Sequence, residues 1–280
     1  GIDTRKNKAI KSREDRRPWI DEKTQEEIQH GLRTHTLMKA KYQRGKKSVY
    51  QYLRMTSIVN PHATISLEVR DRDGEIIEEG YWPRNTNELP RVVEEIDPHP
   101  HGIHLGTLQR MLRETEKKNM VDFLHGSFSG VAESRAEKLL VESGLENTRQ
   151  PRRIKSQDAE RLLECMQRAK FPNPKLNCLS PIEGVLIKKG MSKAIDSRFA
   201  STRTSEPKVS QGNPYQVEVG LIFGGDLKAD TPIEILRFAN RVPLMYQQGG
   251  CALTKAIESV NWRTYGLDQP GGRGIPKGPA

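Results

Sequence analysis

Four prolines, Pro83, Pro90, Pro98 and Pro100, stand within residues 83–100. Proline has no amide hydrogen for a helix interior or an inner strand, and its ring clashes with the preceding turn. This stretch can therefore be neither, and 83–103 reads as a linker. It divides a chain of 280 residues, long enough for two or three domains at about 100–200 residues each.

Before the linker, residues 1–29 are polar and charged with no apolar periodicity, and the chain opens without a Met, as expected of a piece of something longer. Leu32, Thr34, Thr36, Met38 and Ala40 alternate as a half-buried strand should. Val49, Tyr50, Leu53 and Ser57 follow helical spacing within 46–58, closed by Asn60-Pro61. Ala63 to Val69 and Glu75 to Trp82 then read as a hairpin about the turn Asp71-Arg72-Asp73-Gly74. Residues 1–82 are thus expected to be the end of an α/β sandwich.

After the linker the periodicity is helical: His104 to Lys117, Met120 to His125, and Glu133 to Glu142 with Gly144 as its C-terminal cap. A further helix is expected from Ser156, as N-cap, to Lys170, with Ala159, Leu162, Leu163 and Met166 on one face. Beyond Pro172-Asn173-Pro174, a helix is predicted to open at Ser180-Pro181 and run to Lys189. Ala194–Arg203, Tyr215–Phe223 and Ile233–Ala239 read as strands. A last helix, Ala252–Val260, carries Leu253, Ala256, Ile257 and Val260 at 3–4 spacing. The expected fold is α+β and multidomain: 1–82, a linker 83–103, a helical part 104–155, and an α/β part 156–280. The tail from Gln269 holds three Pro and four Gly, and reads as a loop to something further or a disordered end.

No run of about 18 uncharged apolar residues exists to span a bilayer, and the N-terminus has no apolar core of a signal peptide. A soluble, intracellular protein is expected. The three cysteines, Cys165, Cys178 and Cys251, show no CxxC spacing, so neither a disulfide framework nor a zinc site is expected. The net charge of +10 favours a polyanionic partner. It is segmental: residues 1–50 carry 14 basic and 7 acidic side chains, whereas 68–97 carry 10 acidic and 4 basic.

Six phrases stand in order along the chain: Tyr42 to Tyr50 (YQRGKKSVY), Ile58 to Ala63 (IVNPHA), His99 to Gly102 (HPHG), Leu105 to Leu108 (LGTL), Arg237 to Leu244 (RFANRVPL) and Trp262 to Leu267 (WRTYGL). Together they resemble the B subunits of DNA topoisomerase VI, over about Leu32 to Leu267. The resemblance implies a type IIB topoisomerase ATPase subunit. Its parts would be the tail end of a GHKL ATP-binding domain, a helix–two-turns–helix insert, and a transducer of the ribosomal-protein domain-2-like fold. ATP and magnesium would serve the complete protein, but the resemblance places their ligands before Gly1 and after Ala280. No cofactor is therefore expected on this chain. Its glycine pairs Gly224-Gly225 and Gly271-Gly272 do not lie at a strand-to-helix turn that cradles phosphate. The DNA-cleaving tyrosine of the family belongs to the other subunit, so no catalytic residue is expected either.

Arg44-Gly45-Lys46-Lys47 falls at a strand-to-helix junction, where cations gather near a helix N-terminus. It matches in charge and spacing a DNA-contacting loop of the family. Trp262-Arg263-Thr264-Tyr265 resembles the family's Trp-Lys-x-Tyr motif, with Arg263 for Lys. By that resemblance Trp262, Arg263 and Tyr265 are expected to contact the DNA backbone; the alternative is that Trp262 anchors the helix to the sheet while Arg263 and Tyr265 face outward. Lys117, Lys118, Arg135 and Lys138, extended by Arg149, Arg152, Arg153 and Lys155, are candidate phosphate contacts of the helical part. His99, His101 and His104 cluster imidazoles, but Pro98 and Pro100 hold the segment extended and no Cys or acid joins it at ligand spacing, so no metal site is expected; the resemblance implies that this phrase is a domain joint. Asn240-Arg241 is expected to fix a turn, and Asp196, Arg198, Glu218 and Glu234 to be solvent-facing charges.

The function expected from the resemblance is to relay ATP-driven dimer closure to the DNA-cleaving A subunit, in an A2B2 complex that relaxes supercoils by double-strand passage. The chain alone is expected to be inactive. Double-stranded DNA, the A subunit and a second B subunit are the expected partners, in a prokaryotic cytoplasm at the nucleoid and away from membranes. The alternative is a stand-alone module that binds duplex DNA without sequence preference.

Overall fold

The computed structural model describes residues 30–279, together with Ile2, Asp3, Lys8, Ala9, Pro18, Ile20, Gln25 and Glu27. Most of the polar stretch 1–29 and the terminal Ala280 lie outside the described residues. The chain separates into two compact units, Gly1–Gln43 and Arg44–Ala280. In the first, β1 (Ile2–Asp3) pairs antiparallel with β2 (Lys8–Ala9). The strand predicted over 32–40 does not form, and Leu32, Leu37 and Met38 are exposed. Alternation makes a strand only where a neighbouring strand takes up its backbone groups, and among the described residues no strand pairs with it.

The second unit opens with α1 (Val49–Val59), where Ser48 Oγ accepts the Gln51 N–H at 3.2 Å as N-cap. β3 (Ile65–Arg70) and β4 (Ile76–Trp82) form the expected hairpin, with Asp71 Oδ1 accepting the backbone N–H groups of Asp73 and Glu75. Residues 83–99 are neither helix nor strand. There follow α2 (Leu105–Glu114), α3 (Met120–Ser127), α4 (Glu133–Ser143) and α5 (Ser156–Arg168). Gly144 ends α4 at φ 69°, a left-handed conformation that its missing Cβ permits. Ser156 is the first helical residue of α5 rather than its cap, which is Lys155, and its hydroxyl accepts the Gln109 side-chain N–H at 2.7 Å.

Leu108, Phe123, Leu124, Leu139 and Leu140 of these helices are almost wholly buried together with Ala159, Leu162 and Met166. The apolar stripe of α5 thus closes the helical core, although the sequence placed α5 at the start of the third part. A second core forms around α1 and α6 (Gly184–Ala194), from Ile58, Val59, Ile182, Leu186, Ile187 and Met191. Residues from both sides of the linker therefore share it.

The helix predicted to open at Pro181 starts at Gly184, after Glu183 at φ 72°. The Glu218 carboxylate accepts the backbone N–H groups of Ile182 and Glu183, each at 2.7 Å, and the Thr204 hydroxyl at 3.0 Å. These bonds pin residues 182–183 outside the helix. Glu218 is consequently not the solvent-facing charge its alternation implied, while Asp196, Arg198 and Glu234 are exposed as expected.

β5 (Phe199–Thr204) pairs antiparallel with β8 (Glu218–Phe223), and β6 (Lys208–Ser210) with β7 (Asn213–Tyr215). Ala200 and Ile222 pack on the second core, whereas Phe199, Val219, Leu221 and Phe223 are exposed on the other face. The strand predicted over 233–239 shrinks to β9 (Phe238–Ala239), paired with β10 (Val242–Pro243) across Asn240 and Arg241, both at positive φ. Backbone groups of the lost segment bond to loops instead, Ile233 N–H to Pro276 O and Ile235 O to the Gln248 side chain.

In α7 (Ala252–Ser259) the predicted apolar face is only partly covered: Ile257 and the following Val260 are half-buried, Leu253 and Ala256 are exposed, and Thr254 is fully covered. The tail is tied down rather than loose. Lys277 bridges to Pro232 and Asp268, and Pro279 O accepts the Gly224 N–H. Among the described residues no helix is long and apolar enough to cross a membrane.

Candidate nucleic-acid interface

The 44–47 turn is closed by Ser48 N–H bonding to Gly45 O at 2.9 Å, and it leads directly into α1. Arg44, Lys46 and Lys47 are all exposed. Arg44 is oriented from two sides: its guanidinium stands 4.7 Å from the Tyr50 ring centre, and its Nε lies 3.6 Å from a Glu78 carboxylate oxygen on β4. Arg44 and Lys46 line an open cleft of about 360 Å³ with Ser48, Tyr50, Arg54 and Glu234. Cations beside the N-terminus of a helix suit an anion. Glu234 at the rim works against one.

Trp262 to Tyr265 form a single 3-10 turn after α7. The Trp262 indole N–H donates to Ile257 O at 2.8 Å, and its ring lies 6.0 Å from that of Tyr265, so Trp262 is a half-buried anchor. Tyr265 is 72% exposed. Arg263 is exposed, with its Nε donating to Gln269 O at 3.0 Å. Sequence reasoning missed Gln269, which is fully buried. Its Oε1 accepts the Trp262 N–H at 2.8 Å, and its Nε2 donates to Val260 O and Gly274 O. A lone glutamine in a Pro/Gly-rich tail gives no signal of such a bracing role.

In the helical part, Arg152 Nε donates to Thr115 O at 3.0 Å, which brings Arg152 to the α2–α3 loop carrying Lys117 and Lys118. Arg135 and Lys138 lie on the exposed side of α4, and Arg153 and Lys155 are exposed beside Arg152. Arg149 is committed elsewhere: it pairs with Asp158 at 3.3 Å, which also holds Arg161.

His99 accepts the His101 N–H at Nδ1 and meets Pro172 O at Nε2, while His101 Nε2 meets Ala169 O at 2.8 Å. Both rings pack edge-on against Phe171. Burial, the larger effect, and the neighbouring His101 hold the His99 ring below the ordinary imidazole range, against the Pro172 carbonyl, which raises it. These imidazoles join the linker to the end of α5. His104 sits at the N-cap of α2 without a side-chain cap bond.

The Asn240-Arg241 turn does more than reverse the chain. Arg241 donates from Nη1 to Val59 O at 3.2 Å and from Nη2 to Pro181 O at 3.2 Å and Ser180 O at 3.5 Å. One guanidinium thus binds the C-terminal end of α1 to the approach to α6. Burial lowers its ionisation, and Glu218 opposes that shift. The neighbouring His62 is held low by burial, then by Arg241 and Lys193.

A family model described as "Topoisomerase VI B subunit, transducer" matches residues 174–276. The chain is 44% identical to the B subunit of type 2 DNA topoisomerase 6 from Methanococcoides burtonii over 93% of its length, covering 41% of that protein. The corresponding B subunits of Methanosarcina barkeri and Archaeoglobus fulgidus are 45% and 40% identical over 90% and 100% of the chain. It covers 40% and 44% of those proteins. Residues Leu32–Leu267, which carry the six ordered phrases, hold both cores and the braced turns, and by this likeness the chain, spanning about two fifths of the length of its relatives, belongs to the family of topoisomerase 6 B subunits.

Proposed function

We propose that the chain is the central, force-transmitting part of the ATP-binding B subunit of a type IIB DNA topoisomerase. In this reading residues 1–82 end a GHKL domain, 104–155 form a helix–two-turns–helix insert, and 156–280 belong to the transducer. The chain relays nucleotide-driven closure of two B subunits to the A subunit that cuts DNA. ATP and magnesium belong to the complete protein, and the assembly is an A2B2 complex acting on the nucleoid.

The observation that carries the reading is the lock between α1 and α6. A relay must pass displacement across a joint without yielding, and here α1, before the linker, shares a core with α6, after it, and is bound to its approach by Arg241. A packed, hydrogen-bonded joint moves as one piece. Arg44, Lys46, Lys47, Arg263 and Tyr265, with Lys117, Lys118, Arg135, Lys138, Arg152 and Arg153, supply exposed groups for the DNA backbone.

The test uses Arg241→Ala in a full-length B subunit, reconstituted with its A subunit. ATP hydrolysis should persist while supercoil relaxation falls. Loss of both in parallel, or of neither, would overturn the relay. The chain alone should bind two unrelated duplexes equally and with steep salt dependence, because phosphate contacts release counterions. It should give no calorimetric signal with a non-hydrolysable ATP analogue.

A further inference from the structure

The cleft at the start of α1 has an acid among its cations: Glu234 lines it together with Arg44, Lys46 and Arg54. Its walls come from opposite sides of the linker, residues 44–54 before it and 234 after it. Both walls are fixed. On the cationic side Gly45 O accepts the Ser48 N–H at 2.9 Å, and Arg44 is held by the Tyr50 ring and by Glu78. Tyr50 in turn packs edge-on against the buried Trp82, with 5.2 Å between ring centres. Across the cleft, both neighbours of Glu234 are tied to later parts of the chain. Ile233 N–H donates to Pro276 O at 3.0 Å, and Ile235 O accepts the Gln248 side chain at 3.5 Å.

Two carboxylates thus stand near the same cations, and they act differently. Glu78, its side chain 10% exposed, is the ion-pair partner of Arg44 at 3.6 Å and stiffens it. Glu234 is exposed and belongs to the opposite wall. An anion that enters the cleft meets the attraction of Arg44, Lys46 and Arg54 together with the repulsion of Glu234. The bonds on either side of Glu234 keep its backbone from retreating, so the repulsion is a built-in property of the cleft. A like charge at the rim of a binding surface acts chiefly on the rate of encounter and on its salt dependence.

Resting on the reading of the 44–47 turn as a DNA-backbone contact, we propose that Glu234 competes with the incoming phosphate and is a specificity-determining residue of this cleft. It holds the affinity for duplex DNA below what the cations alone would give. Because the acid and the cations lie on different sides of the linker, the affinity of the turn is set by how those two sides meet.

The 280-residue chain and its Glu234→Gln variant are titrated with a fluorescein-labelled duplex by anisotropy, and association is followed by stopped flow. Glu234→Gln should bind about two- to fivefold more tightly at about 50 mM salt, mainly through faster association, and the gain should fade by about 300 mM as ions screen it. Glu234→Asp keeps the charge and should bind like the parent. Glu206→Gln makes the same change in net charge on the loop between β5 and β6, outside the cleft, and should also leave affinity unchanged. Parental affinity in Glu234→Gln, a gain matched by Glu234→Asp or Glu206→Gln, or a gain that persists at high salt overturns the proposal. Lys46→Glu with Lys47→Glu tells this failure from that of the DNA reading. Where that double variant binds less well than the parent, the turn's DNA contact stands and only the role of Glu234 falls; where it binds like the parent, both fall.

Discussion

Gly190 of α6 meets Ile58 of α1 so closely that an added Cβ would collide with the Ile58 carbonyl oxygen. Backbone, unlike a flexible side chain, cannot step aside. Gly190→Ala should therefore force the two helices apart and cost about 1–3 kcal/mol, read as a lowered melting temperature at about 2–4 °C per kcal/mol. Gly106→Ala is the control. Gly106 lies in α2 with open space where its Cβ would be, so the substitution should be neutral or stabilise by up to about 1 kcal/mol.

Arg241→Ala should lower the midpoint of urea unfolding, because Val59, Ser180 and Pro181 carbonyls lose their donor. Leaving such acceptors unpaired costs about 1–3 kcal/mol. Arg241→Lys should not restore the midpoint, since an ammonium on a flexible stem cannot reproduce the planar fork.

Lys46→Glu combined with Lys47→Glu should weaken duplex binding and flatten its salt dependence, each lost phosphate contact reducing the log–log slope by about 0.9. Both side chains are exposed, so the melting temperature should hardly change. Binding equal to the parent at low salt would make the 44–47 turn a solvated one.

Trp262 and Arg263 should separate stability from affinity. Trp262→Ala removes a half-buried ring and the bond to Ile257 O, and should lower the melting temperature by several degrees. Arg263→Ala loses one bond to Gln269 O, worth about 0.5–1.5 kcal/mol, and should show its larger effect on DNA affinity. Equal loss of affinity in both variants with no change in stability would contradict the anchoring role of Trp262.

The sequence by itself determined what depends on near neighbours. The helices of 104–168 follow from apolar spacing and the Gly144 cap, the 65–82 hairpin from its alternation and the Asp71 turn, and the break at 83–99 from proline's missing amide hydrogen. The tertiary structure decided what depends on residues far apart in sequence. Glu218 alternates like a surface charge, yet it holds Ile182 and Glu183, 35 or more positions away, and so sets where α6 begins. Leu32–Ala40 alternates like a strand, but no described strand pairs with it. Arg241 reads as a turn residue, and only the folding of α1 beside α6 brings three carbonyls within its reach. Local periodicity encodes which face of an element is apolar. It does not encode which backbone groups remain unpaired once the elements meet, and those groups placed Arg241, Gln269 and Glu218 where they stand.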